Sequence, residues 1–174
     1  MQSGVRTSVV VVSALDQPID FHELVDSGIN KPARYMGHEL GVELRDWHAA
    51  QVRWALTYPE VYEVGSSNLG HIILYSILNA VPGQLCDRAY LPAADLAARL
   101  REREQALFGV ESRRPLPAFD ILGFSLSYEL GATNILEMLD LCRLPIRAAD
   151  RGDLPLRDPA APPLIFAGGP TATS

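Results

Sequence analysis

The residues best suited to chemistry lie in one loop of small polar and glycine residues. The apolar segment 52–58 leads into this loop, which holds Gly65, Ser66, Ser67, Asn68 and Gly70. Glycine lets a backbone approach a ligand closely, and the free N–H groups at a helix start attract anions. The loop is therefore a candidate cofactor or phosphate site, although its glycines would equally serve a tight turn alone.

The elements on either side of the loop would hold it in place. Segment 52–58 is predicted as an apolar strand that ends at Pro59, and a helix is predicted from Leu69 onwards. Apolar residues at 69, 72, 73, 74, 77 and 78 cover more than one helix face, which predicts a well-buried helix. Asn68 or Ser67 is the expected cap, because either side chain can accept from a first-turn N–H group.

Strands and helices alternate along the rest of the chain. Further strands are predicted at 85–91, 120–126, 145–148 and 164–167, with a minor strand at 107–110. Helices are predicted at 93–105 and 133–141, the second capped by Thr133. This alternation predicts an α/β fold with a mainly parallel, five-stranded, doubly wound sheet of the Rossmann-like or flavodoxin-like kind, with helices on both faces.

In such a sheet, the loops after three strands meet at one edge, which is the expected binding site. Those loops are 65–70, 125–127 and 168–173. The candidate binding residues are Tyr62, Glu63, Gly65, Ser66, Ser67, Asn68, Gly70, Ser125, Leu126, Ser127, Tyr128, Gly168, Gly169, Pro170 and Thr171. Gly168 and Gly169 are expected to let the backbone approach the ligand.

Residues 1–50 lack this alternation and are interpreted as an N-terminal arm, whereas residues 51–174 form the α/β domain. Within the arm, 9–12 is predicted as a short strand, 18–27 as a short helix and 30–37 as a turn around Pro32. The arm is expected to pack on the later core or on another domain.

Composition limits the possible functions. The 174 residues are 48% hydrophobic and 21% charged, with a net charge of −6, which indicates a globular domain and disfavours a nucleic-acid surface. Neither an apolar run of membrane-spanning length nor a clear signal peptide is present. The two cysteines, Cys86 and Cys142, are predicted to be buried thiols of a reduced, cytoplasmic protein, without zinc or iron–sulfur ligation.

Two segments of the chain resemble the cobalamin (vitamin B12) binding domain. They are Leu-Ile-Phe-Ala-Gly-Gly-Pro-Thr-Ala-Thr at 164–173 and Asp-Ile-Leu-Gly-Phe-Ser-Leu-Ser at 120–127. The wider pattern at 32–37, 58–65, 68–70 and 119–130 is similar to a bacterial group of B12-binding radical S-adenosylmethionine (SAM) proteins of unassigned substrate. The resemblance covers roughly residues 30–174.

The resemblance implies a partner domain. In that family, a barrel with a CxxxCxxC triplet follows the cobalamin-like domain and binds a [4Fe–4S] cluster and S-adenosylmethionine. This chain holds no such triplet. It is therefore expected to be a truncated N-terminal module without catalytic activity of its own, whose radical SAM domain is supplied in cis or as a separate chain.

The resemblance also bears on the cobalt ligand. Cobalamin domains that supply a lower ligand carry Asp-x-His-x-x-Gly in the first loop, where this chain places Tyr62 or Ser67, depending on which glycine is aligned. Cobalamin, if bound, is expected to lack a protein histidine ligand. His71, the nearest histidine, is expected only to hydrogen-bond at a helix start. Two alternatives stay open: a degenerate domain that serves as an interaction platform, and a nucleotide- or phosphate-binding protein. The second alternative ranks last, because the loop is not GxGxxG and lacks a P-loop lysine.

Overall fold

The structure of the protein, a computed structural model, describes residues 17–25, 28–37, 39, 42, 45–152, 154, 158 and 161–173. The strands are β1 (Val52–Tyr58), β2 (Gln84–Tyr90), β3 (Ile121–Ser125) and β4 (Leu164–Gly168). The helices are α1 (Phe21–Leu24), α2 (Tyr62–Gly65), α3 (Leu69–Ala80), α4 (Ala94–Glu102) and α5 (Gly131–Leu141). Short 3₁₀ helices occupy Pro32–Tyr35, Leu116–Ala118, Ala148–Arg151 and Pro170–Thr173. The strand predicted at 9–12 lies outside the described residues.

The four strands form one sheet in the order β2-β1-β3-β4, and every neighbouring pair is parallel. The prediction of an α/β fold with a parallel sheet is confirmed. The strand predicted at 145–148 is wrong, because this segment is exposed and turns into the 3₁₀ helix Ala148–Arg151. Ile146 is 52% exposed, so this segment buries no apolar face, and Pro145 cannot donate to a ladder. The described residues thus hold four strands, so the count of five is not confirmed, and the Rossmann-like assignment stays a prediction.

Several predicted boundaries also shift. The helix predicted at 93–105 ends at Glu102, and the segment predicted as a minor strand at 107–110 makes only an isolated bridge between Phe108 and Pro115. Thr133 is not the cap of α5: the helix begins at Gly131, and the Thr133 hydroxyl donates to the Leu130 carbonyl. In the arm, Asp20 caps the four-residue helix α1.

The main core lies on one face of the sheet, beneath α4 and α5. Ala55 and Leu122 point to this face, where they join Leu100 of α4 and Met138 of α5. The arm packs on the same core through the buried residues Phe21, Leu24, Ile29, Tyr35 and Trp47. The rings of Trp47 and Phe119 meet edge to face, with centroids 4.9 Å apart. The described part of the arm therefore packs on the core of the α/β domain.

The opposite face of the sheet carries α3, which does not bury its apolar residues. Its buried residues are His71, Tyr75 and Asn79. The exposed ones are Leu69, Ile72, Ile73, Leu74 and Ile77, which we call the outer face of α3; Leu69 is 68% exposed and Ile77 55% exposed. The prediction of a well-buried apolar helix is therefore wrong.

Three pairs of residues hold α3 against β2. Asn79 exchanges two hydrogen bonds with the backbone of Cys86, at 2.9 and 3.0 Å. The Arg88 guanidinium lies 4.8 Å from the centre of the Tyr75 ring, and the rings of His71 and Tyr90 have centroids 5.7 Å apart. The three helix residues are spaced four apart, a rise of about 6 Å, and their strand partners are spaced two apart, a rise of about 6.6 Å. The helix residues therefore stay level with their partners along β2. We call these contacts the α3–β2 ladder.

The ladder satisfies groups that would otherwise be costly to bury. β2 is an edge strand, and Asn79 pairs the outward-facing N–H and C=O groups of Cys86. Arg88 is neutralised by Glu39, at 2.9 Å, and by Glu111, at 2.6 Å. These contacts are directional, so they fix the rotation of α3 about its axis.

A second buried polar group, Asp87, points from β2 to the other face. It accepts hydrogen bonds from the backbone N–H groups of Arg88, Glu111 and Ser112 and from the Ser112 hydroxyl. Gly109 is required beside it, because a Cβ there would lie 2.2 Å from the carboxylate. Burial raises the pKa of Asp87 to about 6, although these hydrogen bonds favour the ionised form.

His71 makes stability depend on pH. Burial, with a smaller contribution from the charge of Arg88, lowers its pKa from 6.5 to about 4. Because the folded pKa lies below the unfolded one, this stabilisation is complete above pH 6.5 and is lost as the pH falls towards 4. We therefore compare the free energies of unfolding of the wild type and of His71→Leu. The wild-type value minus the variant value should fall between pH 6.5 and pH 4, by at most about 3 kcal/mol.

Urea unfolding of both proteins at pH 4.5, 5.5 and 7 measures this difference. Asp87 titrates with the opposite sign, but it is common to both proteins and cancels. A difference that does not change with pH would contradict the burial of a neutral His71.

Candidate functional site

The loops after β1 and β3 meet at the carboxyl edge of the sheet, as predicted for parallel strands. The Tyr58 hydroxyl lies 3.2 Å from the Ser127 hydroxyl, and the Asn68 side-chain amide donates to the Tyr58 hydroxyl at 3.2 Å. One tyrosine at the end of β1 thus connects two of the three predicted loops.

A second set of contacts strengthens this connection, and two of its residues were missed by the sequence analysis. The Tyr128 hydroxyl donates to the Glu60 carboxylate. The Asn134 amide donates to the Pro59 carbonyl at 2.8 Å and to Glu60 at 3.3 Å. Glu60 and Asn134 therefore brace the two loops. Nothing in their spacing could have paired them, because Asn134 reaches back from α5.

The loop after β4 packs directly on the loop after β3. The Leu126 N–H group donates to the Gly168 carbonyl at 2.7 Å. Gly169 has φ +120°, and a Cβ there would lie 2.3 Å from the Leu126 carbonyl oxygen. Gly169 therefore permits a close approach within the protein itself. Gly168, by contrast, is exposed, and a Cβ there would meet no atom within 4 Å.

The edge over β1 and β2 is filled by aromatic side chains. His71 is 1% exposed and lies between the rings of Tyr58 and Tyr90, with centroids 5.4 and 5.7 Å away. Neither ring nitrogen has a hydrogen-bond partner among the described residues. Gly65 packs here as well, because a Cβ at that position would lie 2.5 Å from the Tyr90 ring. His71 is thus enclosed by protein.

Tyr62 and Glu63, two predicted binding residues, contact the arm. The Tyr62 hydroxyl donates to Glu39, and burial, with a contribution from Glu39, raises the pKa of Tyr62 to about 12. Glu63 accepts from Arg34 at 2.6 and 2.9 Å and from Lys31 at 3.4 Å. Arg34 lowers the pKa of the exposed Glu63 carboxyl. Both residues hold the arm against the first loop.

The polar residues of the first loop bond to the loop itself. The Asn68 side chain caps α3 by accepting from the His71 N–H group at 3.0 Å, which confirms one of the two predicted caps. The Ser67 hydroxyl donates to the Glu63 and Val64 carbonyls, both at 3.0 Å. Ser66 bonds through its N–H group to the Tyr62 carbonyl, and Gly70 lies exposed in the first turn of α3.

The exposed part of the edge lies over β3 and β4. Its residues are Ser127, Tyr128, Gly168, Gly169 and Pro170, with Ser125, Leu126 and Thr171 half-buried beside them. The three loops do come together as predicted. The portion over β3 and β4 presents two adjacent exposed glycines among uncharged residues.

Metal ligation by the described residues finds no support, because no group of three His, Cys, Asp or Glu side chains is clustered there. Both cysteines are buried and free, as predicted, and burial raises the pKa of each thiol. None of the helices in the described ranges is long and apolar enough to cross a membrane.

Comparison with known proteins identifies the family. A protein-family profile described as "Radical SAM proteins, N-terminal" matches residues 70–174, which is more than half of the chain. A search of curated proteins and a search of solved structures found no match. The chain belongs to the family of radical SAM protein N-terminal domains. The match begins in α3 and includes β2, β3 and β4, so it covers most of the sheet.

The two adjacent glycines provide a matched pair of variants. Gly169→Ala should lower the free energy of unfolding by about 2–4 kcal/mol, because the new Cβ meets the Leu126 backbone at an unfavourable φ. Gly168→Ala should change it by less than about 0.5 kcal/mol. Urea unfolding of both variants measures the effects, and equal losses would contradict this packing of the two loops.

Proposed function

We propose that this domain is a module without catalytic activity of its own that packs against a radical SAM catalytic domain through the outer face of α3. The main support for this proposal is that the outer face of α3 is apolar, uncharged and exposed. The whole segment 69–81 contains no Asp, Glu, Lys or Arg, although most of its apolar side chains are exposed. Exposed apolar patches of this kind mark interaction sites on soluble domains.

The absence of charge in this segment narrows the class of partner. Nucleic-acid surfaces need Lys and Arg to contact phosphates, and amphipathic helices that bind membranes carry Lys and Arg on their polar side. Segment 69–81 has neither residue. The cores of stable protein–protein interfaces, by contrast, are apolar and depleted in charge. A protein surface is therefore the partner that fits.

Family membership indicates which protein domain the partner would be. The matching profile describes the N-terminal part of radical SAM proteins, so a catalytic domain is the expected companion. A companion on the same polypeptide would meet the outer face of α3 at high effective concentration. The [4Fe–4S] cluster and S-adenosylmethionine would belong to that companion.

Cobalamin binding is the second candidate, and the open edge over β3 and β4 favours it. Gly168 has free space where a side chain would be, next to the exposed Ser127. Small residues of this kind permit a flat ligand to lie close to the backbone. Bound cobalamin would supply radical or group-transfer chemistry at cobalt. The residues of this chain would contact the face of cobalamin without supplying a nitrogen ligand to cobalt. His71 is not available for that role, because it lies buried between the rings of Tyr58 and Tyr90.

Two helix variants test the docking. Ile73→Asp places a charge on the outer face of α3. It should weaken binding to the radical SAM catalytic domain by roughly a hundredfold or more. Leu136→Asp, on α5, is the matched control, because Leu136 is 46% exposed and Ile73 48% exposed. Calorimetric titration of the two separately expressed domains measures both affinities. Equal affinities for the two variants would contradict the proposal.

A binding assay and a spectrum test the second candidate. Hydroxocobalamin mixed with the purified domain should elute together with it in gel filtration. The electron paramagnetic resonance spectrum of the bound Co(II) form should lack splitting from a protein histidine. Hydroxocobalamin that elutes apart from the domain would remove cobalamin binding and leave the docking proposal intact. Histidine splitting that disappears in His71→Leu would contradict the enclosed position of His71.

A further inference from the structure

The described residues cover only half of the sheet face that carries α3. α3 packs on β1 and β2 through Tyr75, which joins Leu56 and Cys86 in one small cluster. The other two long helices, α4 and α5, contribute their buried residues to the core on the opposite face. Among the described residues, no helix lies over β3 and β4 on the α3 side.

The uncovered area is apolar. Phe166 of β4 lies over Gly123 of β3, where a Cβ would be 3.5 Å from the ring, and it meets Trp54 edge to face at 5.8 Å. Phe166 nevertheless remains 44% exposed, and Leu164, two residues earlier on the same side of β4, is exposed as well. The Phe166 ring therefore packs over Gly123 and beside Trp54, and among the described residues a single layer of side chains covers this half of the sheet.

One side of α3 forms the wall of this area. Asn79 reaches the outer edge of β2, so the opposite flank of α3 faces β1 and the uncovered strands. At 100° per residue, that flank carries Leu74 and Leu78. Leu78 is half-buried against the Leu56 cluster, and Leu74 is exposed. We call the resulting depression the β3–β4 groove; its floor and wall are formed by Trp54, Gly123, Leu164, Phe166, Leu74 and Leu78.

The dimensions of the groove match one helix. Two neighbouring strands span about 10 Å across, and a helix with side chains is about 10–12 Å in diameter. Strands of five residues are about 16 Å long, which corresponds to roughly eleven helical residues. Parallel sheets are normally covered by helices on both faces, and all the groove residues are uncharged, so the helix must present an apolar stripe.

We propose that an apolar α-helix of the radical SAM companion domain fills the β3–β4 groove and lies beside α3 on the sheet. This inference rests on the proposed function, because it takes the catalytic domain as the partner. The groove is continuous with the outer face of α3 through Leu74, so one partner surface can cover both. The docked helix would complete the layer that α3 begins.

Site-specific photo-crosslinking in the complete radical SAM protein tests this arrangement. The photoreactive residue p-benzoyl-L-phenylalanine is placed, one position at a time, at Phe166 and Leu74 in the groove, at Ile77 on the outer face of α3, and at Leu136 on α5 as the control. Each site is exposed to solvent, so the bulky residue is accommodated, and circular dichroism checks the fold. Mass spectrometry then locates the crosslinks.

The proposal predicts that positions 166 and 74 crosslink to one segment of the catalytic domain, at residues spaced three or four apart, while position 136 does not react with that domain. A different result would overturn the helix in the groove but keep the proposed function: position 77 crosslinks to the catalytic domain, while position 166 gives no crosslink, or crosslinks to a loop or to a second copy of this chain. If neither 77 nor 166 reaches the catalytic domain, the proposed function itself fails.

Discussion

The α3–β2 ladder determines which side of α3 faces the protein and which faces outward. Asn79, Tyr75 and His71 recur every four residues, and their partners on β2 recur every two. Each pair is directional or closely packed, and Asn79 also satisfies the backbone of an edge strand. Rotating α3 to bury its isoleucines would remove Asn79 from the Cys86 backbone and leave those groups unpaired, at a cost of about 1–3 kcal/mol for each buried group. The apolar residues are therefore turned outward.

The two faces of the domain differ as a result. On one face, α4 and α5 bury leucines and join their outer surfaces through Arg101, which bonds to Glu137 at 2.7 Å and to Asp140 at 2.9 Å. The outer surface of that face carries these charged side chains, although Leu136 of α5 is exposed there as well. On the other face, α3 and β4 present uncharged, apolar side chains. The second face therefore offers an apolar surface on which a further layer could pack.

The carboxyl edge shows a similar division. Over β1 and β2 the edge is closed by Tyr58, His71 and Tyr90, and Tyr62 and Glu63 attach the arm there. Over β3 and β4, Gly168 and Ser127 remain exposed. The open edge and the β3–β4 groove thus lie on the same two strands. A companion domain seated in the groove would reach this edge and any ligand held there.

The sequence predicts the parallel sheet well, because β1 and β3 are short, mostly apolar segments that alternate with helical segments, as buried parallel strands do. It also predicts that three loops meet at one edge. It fails for α3, because periodicity assumes that apolar residues face the core of the same domain, and here buried polar pairs on β2 decide the orientation. Such pairs join residues distant in sequence, as do Glu60 and Asn134, so spacing alone does not reveal them. The lack of charged residues in segment 69–81 was the feature of the sequence that could have indicated an exposed apolar face on α3.

The central claim is that a companion domain covers the apolar face of this module, and hydrogen–deuterium exchange tests it most directly. Exchange is measured for the α3 amides in the isolated chain and in the complete radical SAM protein, with α4 on the opposite face as the internal reference. The account predicts exchange at least about tenfold slower for α3 in the complete protein, because an interface suppresses local opening, and unchanged exchange for α4. Equal exchange of α3 in both proteins would contradict it.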